Sequence, residues 1–596
     1  MTILRKDVIK KDCWNVSALY PSLKAWEKDF ATLTRHTQAP FFPELLKYRS
    51  TLKKGVKTIQ TVLELYFSLD RHLSKLYTYA HLRHDEDLTN DACKQIYDKI
   101  ITLYHTFAEE ASWLQPELQT LDPKVLNSPS LKEYAVFLKD ILRLRPHTLD
   151  AAQEQLLALA GQALSAPQRT FSAISDADFR FESVKDKKGT LHPLTHASFS
   201  LYLRSPDRVL RKNAFQTLLG HYASYENSFA ELLQGQVQKH FFQARARNYS
   251  SCVEAALFPH HIEPAVYHAL IEAVHDNIST LHHYIKLRKK VLKLKDIHLY
   301  DMAVPLVHGS DRHFSYEEAE DLVIASVTPL GPEYQNFLSK GLKTDRWVDR
   351  YENQNKRSGA YSSGCYDSNP YILMNYKGIL RHVYTLAHEA GHSMHSLFSR
   401  KTQPYHYSSY AIFVAEVAST FNEELLMRHL LERATTKAEK AFLINEKLDD
   451  IRGTLFRQTM FAEFELFIHQ AVEKRIPITP LLLKNEFIRL NQFYFGKEVV
   501  IDPEIAIEWA RIPHFYYNFY VYQYATGISA AIALTEKLLD GGKKEQQAYL
   551  NFLRSGSSNY PIELLKKAGV NMRSPEVVKQ AIRRFSTLTN ELEKLL

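Results

Sequence analysis

The sequence predicts a mainly α-helical protein, and three observations carry that expectation. Glycine is scarce: 19 of 596 residues, about 3 per cent where roughly 7 per cent is usual. Leucine, alanine, lysine, glutamate and glutamine abound, and these residue types lose least in a helix. Segment after segment repeats apolar residues at helical spacing between short turns. Hydrophobic residues make up an ordinary 45%, so a sizeable core is expected. A chain this long holds several domains or one large helical body.

Residues 15 to 170 read as a series of amphipathic helices. Ser130-Leu-Lys-Glu-Tyr-Ala-Val-Phe-Leu-Lys-Asp-Ile-Leu142 is one, with Ser130 and Glu133 as a capping-box start. The pattern then alternates through Phe179-Arg-Phe-Glu-Ser-Val-Lys-Asp-Lys-Lys-Gly-Thr-Leu-His-Pro193, with a Lys-Gly turn, which predicts a β-hairpin. That hairpin sets a boundary near residue 195, giving an N-terminal helical domain over 1–195 and a second domain over 196–596. Helices resume through Lys290, and Ser315-Tyr-Glu-Glu318 caps another. From Gly359 to Asn375, two glycines, Pro370 and the run Tyr371-Ile-Leu-Met-Asn375 predict a short strand. An edge strand there would hold an extended peptide by main-chain hydrogen bonds.

The next helix carries the most specific signal. Leu380 to Phe398 lacks proline and contains His388-Glu389-Ala390-Gly391-His392, an H-E-x-x-H motif. Residues i and i+4 share a helix face, so both imidazoles reach one metal ion. Glu389 is turned beside them, toward the water that the metal activates. Gly391 costs about 1 kcal/mol in a helix interior, which implies close packing or a metal-site reason. Catalytic zinc takes three protein ligands. Tyr410 to Met427 is another helical run in which Glu416 stands alone among apolar and small neighbours, where a carboxylate is costly unless paired or metal-bound. Glu416 is the expected third ligand, with Glu423 and Glu424 as alternatives, and Thr420 and Glu423 share its face as support for the histidines. The expected cofactor is one zinc ion per chain. His395, at i+7 from His388, is a candidate supporting group.

Amide hydrolysis places negative charge on the former carbonyl oxygen, and a preorganised donor stabilises it. The tyrosine-rich run after Pro513 supplies candidates. Read as one helix, His514, Tyr517, Val521 and Tyr524 form one face, while Tyr516, Tyr520 and Gln523 form a neighbouring one.

These motifs belong to a longer series: Arg346-Trp-Val-Asp-Arg-Tyr-Glu-Asn353, Ser358-Gly-Ala-Tyr-Ser362, Pro370 to Asn375, the histidine motif, and Phe413-Val-Ala-Glu-Val-Ala-Ser-Thr420. Ile512 to Gly527 and Phe552 to Leu565 follow in the same order, with weaker similarity back to Ser205-Pro-Asp-Arg-Val-Leu-Arg211. The series resembles the oligoendopeptidase F branch of the thimet-oligopeptidase-like metallopeptidases. The resemblance implies two helical halves enclosing a deep channel, zinc on His388, His392 and Glu416, and Glu389 as the base. It also implies that 196–596 is the catalytic domain, that internal bonds of short unstructured peptides are cut, and that a histidine and two tyrosines donate to the carbonyl oxygen. His514 heads that pattern here, with Tyr517 and Tyr524 as the matches. The spacing to the last tyrosine is shorter than in the thimet branch, so Tyr520 and Tyr522 stay open.

Rival readings are a helical zinc carboxypeptidase and a non-catalytic peptide-binding relative. The net charge of +8 is spread along the chain, so no nucleic-acid partner is expected. Four cysteines, Cys13, Cys93, Cys252 and Cys365, are far apart and form neither a metal pair nor a disulfide framework. The charged N-terminus lacks an apolar signal core, and no apolar run reaches membrane-spanning length. A cytoplasmic protein with oligopeptide partners is expected; the sequence does not show its oligomeric state.

Overall fold

A computed structural model describes residues 3–35, 38–307, 309 and 312–596. It is 71% helical and 3% strand, so the protein is mainly α, as expected. The chain gathers into two compact units. One comprises Met1–Arg145, Arg312–His429 and Thr535–Gly569; the other comprises Pro146–Asp311, Leu430–Leu534 and Val570–Leu596. The boundary near residue 195 divides the chain along its sequence, whereas each unit draws on three separate stretches.

In the first unit the long helix Val56–Glu86 packs on Asp91–Ala111. Asn90 starts the second helix by accepting the Cys93 amide at 3.1 Å, which satisfies one of the donors left open at a helix N-terminus. Their apolar faces close over Trp14, Trp26 and Phe42, and Tyr371 and Leu373 join the same core from far along the chain. Trp26 buries its ring fully and donates its indole N–H to the Leu76 carbonyl at 2.8 Å, as a buried tryptophan requires.

Ser130 does not cap a helix. Pro129, with its φ preset for a first helical turn, opens a 3₁₀ segment over Pro129–Tyr134, and the α-helix Ala135–Leu144 follows without a side-chain cap. Ser315 does cap: it accepts the Glu318 amide at 3.0 Å and starts Tyr316–Ser326.

Seven short strands occur among the described residues: β1 (Val184–Lys185), β2 (Leu191–His192), β3 (Ile297–His298), β4 (Val348–Asp349), β5 (Tyr361–Ser363), β6 (Tyr371–Leu373) and β7 (Val499–Val500). The anticipated hairpin is β1–β2, antiparallel with Val184 opposite His192, and Gly189 takes the positive φ of 84° that its turn needs. β3 pairs in parallel with β7.

The sheet before the histidine motif is ordered β4-β6-β5. Ile372 of β6 faces Val348 of β4 on one side and Ser362 of β5 on the other. The expectation that the 371–375 strand offers an edge to a peptide is therefore wrong: it is the central strand and Ile372 is fully buried. Its unbroken apolar run, Tyr-Ile-Leu, suits a strand covered on both faces. The strand beside the motif helix is β5. No helix of the described residues is long and apolar enough to cross a membrane.

Candidate metal centre

The motif helix runs from Leu380 to Thr402, and the helix bearing Glu416 from Ile412 to Arg433. Gly391 explains how closely they approach. A Cβ on it would stand 2.6 Å from the Ala418 carbonyl oxygen and 2.7 Å from Ser419 Cα. Only a residue without a side chain lets the two backbones touch there. The contact lies between the two histidines in sequence and beside Glu416, so it sets the distance at which the ligands meet.

They meet as the motif predicts. The ligand atoms of His388, His392 and Glu416 all lie within 4.8 Å of one another. Glu416 Oε2 is 3.3 Å from His388 Nε2 and 3.6 Å from His392 Nε2. The two rings stand nearly perpendicular, at 81°. Two imidazole nitrogens and a carboxylate oxygen, converging at that range, suit a zinc-like ion with a coordination position left open.

The surrounding contacts hold each donor. Glu423 takes the other side of His388, with Oε1 2.5 Å from Nδ1, which fixes the ring's orientation and leaves Nε2 facing Glu416. Ser419, one residue before the anticipated Thr420, donates its hydroxyl to Glu416 Oε2 at 3.0 Å. Glu424 is fully buried and bound to Arg428 at 3.0 Å, which commits it to an ion pair. His395 is buried and stacked on Tyr410, ring centroids 3.7 Å apart. Burial holds its pKa down at about 3, so it packs as a neutral ring.

Electrostatics divide the roles of the two carboxylates and the two imidazoles. Burial pushes Glu389 up to about 7, against the lowering charge of His388, and Glu416 raises it further. Burial also favours the neutral form of Glu416, but the hydrogen bond from His388 and the charge of both histidines outweigh it and hold the group at about 2. His392 is held at about 4, first by burial and then by the neighbouring His388 charge. Burial opposes a charge on His388, but Glu416 and Glu423 hold its pKa well above the usual range. Metal ligation needs neutral imidazoles and an ionised carboxylate, so binding an ion would release the proton that His388 shares. The Ser362 backbone in β5 also faces Glu389 and works against the rise in its pKa, a proximity that sequence reading missed because nothing local links the two positions.

The tyrosine-rich segment belongs to the other unit and is not the continuous helix that the sequence suggested. Pro513–Tyr516 is a 3₁₀ turn, and the α-helix begins only at Tyr522. Between them Asn518 and Phe519 take positive φ, 50° and 59°, which breaks the register. The break has a consequence for the tyrosines. His514 Nε2 lies 3.1 Å from the Tyr524 hydroxyl, and the Tyr517 and Tyr520 rings sit 5.7 and 6.3 Å from the His514 ring. Tyr520, assigned by helical spacing to a neighbouring face, thus joins the histidine. Tyr522 is buried at 1% exposure, while Tyr517 is 46% exposed. Burial keeps His514 below its usual pKa, hence neutral near pH 7.

Comparison with known proteins agrees with this architecture. The model for Peptidase family M3 matches residues 201–584, and that for an N-terminal domain described as Oligopeptidase F matches residues 119–181. The chain is 44% identical to oligopeptidase PepF of Bacillus subtilis, over 99% of this chain and 88% of that one. It is 37% identical to an oligoendopeptidase F homolog of Lactococcus lactis, over 99% and 98%. The crystal structure of oligoendopeptidase-F from Enterococcus faecium superposes with a TM-score of 0.72 at 34% identity, covering 96% of this chain and 99% of that one. With the family model covering most of its length and curated relatives matching it nearly end to end, the chain belongs to peptidase family M3, among the oligoendopeptidase F metallopeptidases.

Proposed function

We propose that this enzyme hydrolyses internal bonds of short, unstructured peptides, with one zinc ion held by His388, His392 and Glu416 and with Glu389 as general base. The observation that carries the proposal is the convergence of those three donors within 4.8 Å, beside a buried carboxylate. When bound, the ion supplies a Lewis acid that polarises the scissile carbonyl and makes water a better nucleophile. Glu389, raised toward neutrality by burial, takes a proton from that water and returns it to the leaving amine. His388 is held in one tautomer by Glu423 at its Nδ1. His514 and the hydroxyls of Tyr517, Tyr520 and Tyr524 are the proposed donors to the carbonyl oxygen as it gains charge.

Incubation of a defined peptide mixture, with and without a chelator, tests the proposal by product mass. The expected products come from internal cleavage, vanish with the chelator and return with zinc. Cleavage that persists in the chelator would sink the metal reading. Peptides blocked at the C-terminus separate the carboxypeptidase alternative, since an endopeptidase still cuts them. A native globular protein should resist, because it must unfold at a cost of about 5–15 kcal/mol before an extended segment is available. A cytoplasmic location and oligopeptide substrates complete the reading; fractionation of cells checks the first.

A further inference from the structure

A buried chain of hydrogen bonds underlies the tyrosine-bearing segment, built from residues that the metal chemistry does not use. Gln236 Nε2 donates to the Tyr516 carbonyl and to His240 Nε2, each at 3.0 Å. His240 Nδ1 lies 3.0 Å from His469 Nε2. His469 Nδ1 donates to the Glu465 carbonyl at 2.7 Å. The Glu465 side chain completes the series, accepting the Phe519 amide on Oε1 at 2.6 Å. All four side chains are buried.

The direction of every donor follows from the ends. His469 Nδ1 faces a carbonyl, which only accepts, so that nitrogen carries the hydrogen and Nε2 accepts from His240. His240 Nε2 then accepts from the Gln236 amide. Both rings are satisfied at both nitrogens while neutral, in keeping with burial holding both pKa values low, that of His469 at about 4.

The two ends of this chain grip Tyr516 and Phe519, which bracket Tyr517 and Asn518. Within the bracket the backbone turns left-handed at Asn518 and Phe519, a conformation that non-glycine residues keep only where the surroundings impose it. The Phe519 ring lies against His469, centroids 4.3 Å apart. That left-handed turn is what ends the helical register and carries Tyr520 round to His514.

We propose that Gln236, His240, His469 and Glu465 form a positioning scaffold for the catalytic tyrosines. Glu465 acts through the Phe519 amide and Gln236 through the Tyr516 carbonyl. Buried hydrogen bonds from Gln236 and Glu465 to two main-chain groups favour one backbone arrangement where an apolar filling would tolerate several, although Gln236 Oε1 and Glu465 Oε2 themselves take no partner among the described residues. The inference rests on the reading that His514 and its tyrosines act on the substrate.

The test compares Glu465→Leu, Glu465→Gln and Gln236→Met in the full-length, zinc-loaded protein, reading kcat, KM, zinc content and melting temperature. Glu465→Leu should lower kcat by about 10- to 100-fold, the size of effect a small misplacement produces, while KM and zinc content stay near wild type. Glu465→Gln keeps an oxygen acceptor for the Phe519 amide and should recover most of that loss. Gln236→Met cuts the other end and should lower kcat in the same sense. Combining Glu465→Leu with Tyr520→Phe should cost less than the product of the two single effects, because both act through one group. A folded Glu465→Leu protein with wild-type kcat overturns the scaffold, and where that variant does not fold, wild-type kcat in Gln236→Met does so. Glu465→Gln as slow as Glu465→Leu also overturns it. Loss of kcat in tyrosine variants but not in scaffold variants removes this inference alone. Full kcat in every His514 and tyrosine variant removes the underlying reading as well.

Discussion

Glu423 Oε1 sits 2.5 Å from Nδ1 of His388, on the side of the ring away from the nitrogen that faces Glu416. A carboxylate in that place holds one tautomer and raises the basicity of the opposite nitrogen. Glu423→Ala should therefore weaken zinc binding by about 10- to 100-fold. Competition against a chromogenic chelator measures it. Affinity equal to wild type would mean that the contact does not orient a ligand.

Glu389→Gln and Glu416→Ala should separate chemistry from binding. The first keeps the shape beside the histidines but removes a base, so zinc content holds while kcat falls by about 10²–10⁴-fold, the usual contribution of such a group. The second removes the proposed third ligand, so zinc content should fall first. Normal metal content in Glu416→Ala would move the third ligand elsewhere on the same helix.

Gly391→Ala forces a methyl to within 2.6 Å of the Ala418 carbonyl oxygen. Backbone must move, since no side chain is available to yield, and overpacking of this kind costs about 1–3 kcal/mol. Calorimetry should show a lower melting temperature together with weaker zinc retention. A variant that melts like wild type and keeps its zinc would show that the helices separate freely.

Among the tyrosines, at least one of Tyr517→Phe, Tyr520→Phe and Tyr524→Phe should lower kcat by about 10²–10³-fold, as a lost oxyanion donor does. KM should move less, because the donor acts mainly in the transition state. Tyr522→Phe should stay near wild type, its ring being buried at 1% exposure. A slow Tyr522→Phe beside three normal variants would contradict the arrangement round His514.

How much of this was legible in the sequence depended on range. The histidine pair and Glu389 follow from a spacing of four on one helix, and Gly391 marks a close contact without identifying its partner, Ala418. Local rules failed where a single residue changed the geometry. Pro129 displaced the cap expected at Ser130, and Asn518 with Phe519 broke a helix whose apolar and aromatic spacing looked continuous. Strand Tyr371–Leu373 was found, but its central place was not, because pairing with Val348 and Ser362 is set by segments with no periodic link to it. Gln236, His240, Glu465 and His469 looked like ordinary helical positions. Their chemistry lies in contacts between separate segments, 229 residues apart for His240 and His469, 280 for Gln236 and Tyr516 and 54 for Glu465 and Phe519, and one sequence carries no sign of those.

The placement of the donors bears on how the protein is made. His388, Glu389, His392, Glu416 and Glu423 all lie on two successive α-helices whose short connection holds one 3₁₀ turn, Tyr405–Tyr407. Closing so small a loop costs little chain entropy, and contacts near in sequence assemble quickly. The ligand cluster is thus a local product of folding that requires no distant strand or terminus to reach it. An ion bound there would be captured as soon as this pair of helices forms, and would act as a cross-link that favours the folded state over the unfolded one.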